Sequence, residues 1–143
     1  MLKRALKLAA LPALISFFVT LARFFGERAE LPGPVTFAIG IIWLTLVVAV
    51  FWGLKLAGEE NPYRLLFLSL VVFALLSRIP VVALWWITKT YGLGTHYDVF
   101  DGWGSALVGQ FFGALIQIVP GSLLGAATLA LKRRSYARAA EEV

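Results

Sequence analysis

Four long stretches of this chain carry almost no charge, and that spacing leaves few folds open. Residues 5–25, 35–56, 65–87 and 106–131 are predominantly apolar. Each reaches the ~20 residues that an α-helix needs to cross roughly 30 Å of hydrocarbon. A lone strand there would leave its backbone groups unpaired in lipid, whereas a helix pairs them internally. The expected fold is an all-α integral membrane protein, a four-transmembrane-helix bundle forming one domain over residues 1–143. Composition agrees: 15% of the residues are charged, against about 25% in a soluble domain, too few to cover a water-facing surface. The basic start, Lys3, Arg4 and Lys7, also fits a secretory signal. The stretch behind it is long enough to be a retained span, and it is read as one.

Breakers and charges punctuate the spans. Leu31-Pro32-Gly33-Pro34 precedes the second, and Asn61-Pro62 opens the third with Pro in its first turn, where the missing N–H costs nothing. Lys132-Arg133-Arg134 stops the fourth, leaving 135–143 as a frayed surface helix. Pro80 and Pro120 fall inside spans and are expected to kink them. Orientation follows from counting Lys and Arg by side. One side holds nine: Lys3, Arg4, Lys7, Lys55, Arg64, Lys132, Arg133, Arg134 and Arg138. The other holds two, Arg28 and Lys89. Both termini are therefore expected inside, with the 88–105 connection outside, in a multi-pass protein of a bacterial-type cytoplasmic membrane. Trp85, Trp86, Tyr91, Tyr97 and Trp103 are expected at the outer boundary, Trp52 and Tyr63 at the inner one.

The net charge of +5 thus sets topology and meets anionic lipid, and does not point to nucleic acid. Without Cys there is no disulfide, thiolate zinc site or thiol catalysis. One His is too few for multi-His metal or haem sites. No metal and no cofactor are expected. The intramembrane Glu of small multidrug transporters and the cysteines of quinone-linked disulfide oxidoreductases are both missing, so no family resemblance is drawn.

Arg78 is the most informative residue. It lies near the middle of the third span, where an Arg costs about 2.5–3.5 kcal/mol to insert. Such a residue normally faces the bundle interior and has a partner. No Asp or Glu lies within the spans. By depth, Gln117 is the expected partner, with Ser16 and Thr45 completing a polar layer. Ser16, Thr20, Arg23 and Glu27 step by four, three and four and so share a helical face. Arg78, Gln117, Gln110, Arg23 and Thr20 form a candidate binding site. Because the guanidinium fork suits carboxylate or phosphate, the expected ligand is a small anion or a lipid headgroup. The competing reading makes Arg78 a structural donor between helices, or a side chain that snorkels outward.

Gly109, Gly113, Gly121 and Gly125 form two GxxxG pairs on the fourth span. They are expected to pack closely, either within the bundle or against a second copy or partner subunit. In the outer connection, His96, Asp98 and Asp101, with Glu27 and Glu30 nearby, could act as acid and base on a lipid. The structural alternative has the aspartates capping turns or pairing with Lys or Arg. Ser105 lies in nothing like a nucleophile elbow. The function best matched is transport or channel-like, through a polar site open to the outer side. The alternatives are an accessory membrane subunit or a lipid-directed enzyme, and the balance leans away from an enzyme.

Overall fold

The computed structural model describes residues 1–141, with side chains through Arg138, and among these it is all-helical. Its elements are α1 (Leu2–Arg28), α2 (Gly33–Ala38), α3 (Ile41–Lys55), one 3-10 turn (Leu56–Gly58), α4 (Pro62–Tyr91) and α5 (Trp103–Glu141). Four helical segments are long and apolar enough to cross a membrane, with α2, α3 and the following turn counting as one. The expected tail continues α5 as far as Glu141, and its last two positions, 142–143, lie outside the described residues. The helices overrun the expected spans: α4 has 30 residues, about 45 Å at the usual rise. They also run on through Pro12, Pro80 and Pro120.

The second span corrects the sequence reading. Expected as one helix over 35–56, it is interrupted at Ile39 (ψ 67°) and Gly40 (ψ 144°). Gly40 has poor helix propensity and stands among Ile39, Ile41 and Ile42, β-branched residues that are also reluctant helix formers. The fold-back is tight, since a Cβ on Gly40 would lie 2.9 Å from the Phe37 carbonyl oxygen.

α4 is the central helix, with α1 on one side and α5 on the other. α3 packs mainly on α5 and touches α1 only lightly. On α1 the buried stripe is small: Ala5, Ala9, Pro12, Ser16 and Thr20. At Gly53 the backbones of α3 and α5 nearly touch, for a Cβ there would lie 2.6 Å from the Gly125 carbonyl oxygen. The glycine ridge of α5 is likewise spent on its own chain. Gly121 faces Thr45 and Leu70, Gly125 faces Ala49 and Leu66, Gly113 faces the Arg78 guanidinium, and Gly109 lies under the Phe100 ring.

Two apolar clusters fill the interior. One joins Ala5, Ala9, Trp52, Leu66, Phe73 and Leu129 at the end where Arg4 meets Glu59. The other joins Phe24, Val81, Leu84 and Tyr97 at the end closed by the 92–102 connection, which we call the upper end. Along each helix the buried polar side chains Ser16, Thr20, Thr45, Ser77 and Gln117 fall between the two. The exterior is apolar: Leu11, Phe18, Val47, Ile79 and Leu123 are all at least 60% exposed, a surface that water does not favour and lipid does. Three of the aromatics expected at the boundaries pack inside the bundle. Trp52 and Trp85 are buried, as is Tyr97, and the Trp85 indole N–H donates to the Phe100 carbonyl at 3.1 Å.

Candidate functional site

Between α1, the α2–α3 break, α4, α5 and the upper connection lies a cavity of about 270 Å³. Val19, Thr20 and Arg23 of α1 line one wall, and Phe37 and the Ile39–Ile42 break line another. α4 and α5 supply Arg78, Val81, Gly113, Ile116 and Gln117, while His96 and Tyr97 come from the upper connection. The expected binding residues Arg78, Gln117, Arg23 and Thr20 thus converge on one space.

The partners differ from those the sequence suggested. The Arg78 guanidinium donates from Nη2 to the Gly113 carbonyl at 2.8 Å and from Nη1 to Gln110 Oε1 at 3.4 Å. Gln117, the expected partner, instead accepts from the Ser77 hydroxyl at 3.1 Å. The depth reading therefore holds for the backbone, one residue away. The guanidinium, far out on its stem, reaches toward the upper end instead. It fits there because Gly113 has no side chain: a Cβ would stand 2.7 Å from Nη1. The acceptor is not a carbonyl freed by proline, since Pro80 and Pro120 release those of Leu76 and Ile116. Ser16, Thr20 and Thr45 turn their hydroxyls back to carbonyls of their own helices.

The cavity is rich in donors. Among the described residues no carboxylate pairs with Arg78. Its Nε, and the Nε2 of Gln117, which is 2% exposed, are buried without a partner. The break adds backbone donors. Helix α3 starts at the cavity wall with no side-chain cap, and its first N–H groups lack helical acceptors. Non-helical backbone at membrane depth is tolerated where it lines a cavity, and a helix N-terminus there favours negative charge.

At the cavity rim, Arg23 Nε donates to Glu27 Oε1 at 3.2 Å. The other Glu27 oxygen accepts the His96 backbone N–H at 3.2 Å, and the imidazole Nδ1 contacts Glu27 as well. The expected outer cluster is therefore divided. His96 joins Glu27, while Asp98 and Asp101 face Lys89 at 3.3 and 3.7 Å. That is the structural pairing, and it separates the aspartates from the imidazole. Glu30 has its backbone at positive φ, in the turn after α1. Ser105 bonds the Gly102 backbone. Desolvation holds the His96 imidazole below its ordinary 6.5, with Arg23 adding to the effect and Glu27 opposing it. Burial pushes the Tyr97 hydroxyl up to about 12, so it stays a neutral donor, and it bonds the Thr20 carbonyl at 3.3 Å.

Fold and cavity together define a small four-helix protein of membrane-spanning proportions, with an arginine that no carboxylate of the described residues neutralises beside a broken helix. Comparison with protein-family models, with curated proteins and with solved structures returns no match.

Proposed function

We propose that this protein binds a small anionic group in the cavity at the α2–α3 break, as the binding station of a transport or channel-like membrane protein. One observation carries the reading: Arg78, the unpartnered Gln117 amide and the uncapped start of α3 face the same space. All three present N–H donors. A discontinuous membrane helix whose N-terminus points at an anionic group is a recurring device of secondary transporters. The nine-to-two bias of Lys and Arg sets both termini inside and opens the cavity toward the outer side, under His96 and Tyr97. The enzymatic alternative loses support, because Asp98 and Asp101 are engaged with Lys89. A ridge whose glycines face their own chain favours packing inside the bundle over a partner subunit.

The test is anion binding by the purified protein. Phosphate and small carboxylates should raise its thermal stability saturably, as expected when a ligand binds only the folded state. Arg78→Gln and Gln117→Leu should abolish the response, and Arg78→Lys should weaken it, since the planar fork is lost. A stabilisation equal in wild type and Arg78→Gln would overturn the assignment.

A further inference from the structure

Arg78 also borders a second space. Between α4 and α5 runs a surface groove of about 380 Å³ that shares no lining residue with the polar cavity except Arg78 itself. Its walls are Leu75, Ile79, Val82, Leu107 and Phe111, and Gln110 is its other polar group. Leu75, Ile79, Leu107 and Phe111 are all more than half exposed on the bundle exterior. Arg78 lines both openings, and since Gly113 has no side chain its guanidinium lies in the seam between the two helices. A guanidinium has five N–H donors. Gln110 and the Gly113 carbonyl take one each, and among the described residues no carboxylate neutralises the charge.

We infer that the ligand of Arg78 is an amphiphile, a single oxyanion head (carboxylate or phosphate) on an alkyl chain, with the head on the guanidinium and the chain in the α4–α5 groove. The inference rests on the anion reading above and narrows it. A water-soluble anion would satisfy the charge but leave the apolar groove unused, and a neutral lipid would fill the groove but leave the charge bare. An anionic amphiphile matches both at once. The polar cavity on the other side of Arg78 then gives the head a second set of donors at the α3 N-terminus. Measured from water, each methylene of the bound chain should tighten binding about fourfold, and because bilayer lipid offers a chain the same apolar surroundings, the groove's own share is the part that filling the groove removes.

The experiment uses the full chain in nanodiscs of zwitterionic lipid. Its probes are inorganic phosphate, butyl, hexyl and octyl phosphate, octanoate, acetate and octanol. Octyl phosphate should bind at least tenfold more tightly than inorganic phosphate, and octanoate than acetate, with affinity climbing along the alkyl series. Ile79→Trp, which fills the groove, should remove the groove's share of the chain-length gain while inorganic phosphate binds as before. Leu107→Trp serves the same purpose if the first variant folds poorly. Adding phosphatidylglycerol to the nanodisc separates the two sources of the head. Competition with octyl phosphate supports a bilayer lipid as ligand, and lack of competition supports a free amphiphile. Equal affinity for inorganic and octyl phosphate would overturn the amphiphile but leave the anion site standing. Octanol binding as well as octyl phosphate, with no response to phosphate, would overturn both.

Discussion

The seating of Arg78 on Gly113 can be measured as a coupling energy. An Ala Cβ at position 113 would lie 2.7 Å from Nη1, whereas ordinary contact begins at 3.4 Å. The guanidinium must therefore retreat by the difference, 0.7 Å. The bond from Nη2 to the Gly113 carbonyl, now 2.8 Å, is then lost or badly strained. A hydrogen bond from a charged group contributes about 1.5–3 kcal/mol. Against this, Ala is favoured over Gly inside a helix by up to about 1 kcal/mol. Gly113→Ala should thus destabilise by roughly 0.5–2 kcal/mol. With Arg78→Ala already present there is nothing to displace. Only the propensity gain remains, and the same change becomes neutral or stabilising. The coupling between the sites should be about 1.5–3 kcal/mol. The assay is reversible unfolding in mixed micelles titrated with denaturing detergent, on both single variants and the double. Additivity within roughly 0.5 kcal/mol, the limit for independent sites, would refute the seating.

Two further outcomes follow from the same geometry. With no native cysteine, His96→Cys and Arg138→Cys report topology directly: an impermeant thiol reagent added outside should label position 96 and not 138, and labelling of both refutes the orientation. The His96 imidazole is held below its ordinary 6.5 in the folded chain, so the unfolded chain binds more protons in that window and stability should fall as pH drops through 6.5 toward the carboxylate range. Thermal unfolding followed across that window should show a slope that His96→Gln flattens, and an unchanged slope in the variant would refute the role of this imidazole.

How much was legible in the sequence depended on how local the physics was. The four spans were readable because lipid requires a run of apolar residues whatever the tertiary contacts. The mid-depth polar belt was readable for the same reason, since the rise per residue fixes depth along any straight helix. Ser77 meeting Gln117 shows that the depth count works at the backbone. It failed for the Arg78 guanidinium because the head of a long side chain goes where space and acceptors are, and both come from Gly113 and Gln110 on another helix. Which of the boundary aromatics turn into the bundle was not legible, because that depends on partners from other helices. Trp52 lies edge-on to Phe73 at 6.3 Å, and the Trp85 N–H has an acceptor inside.

The break in the second span is the miss that matters most, and its signal was present. Gly40 follows a six-residue helix that opens at Gly33-Pro34 and sits among β-branched isoleucines. In a soluble protein such a glycine would cost about 1 kcal/mol and pass unremarked. In lipid the cost is larger, because the N–H groups bared at the start of α3 have no water to turn to. A break there survives only if something polar lies against it. In this fold that is the cavity reached by Arg78 and the unpartnered Gln117 amide. These too are donors, and none of the three can satisfy another. The requirement for an acceptor therefore arises from the backbone as well as from Arg78.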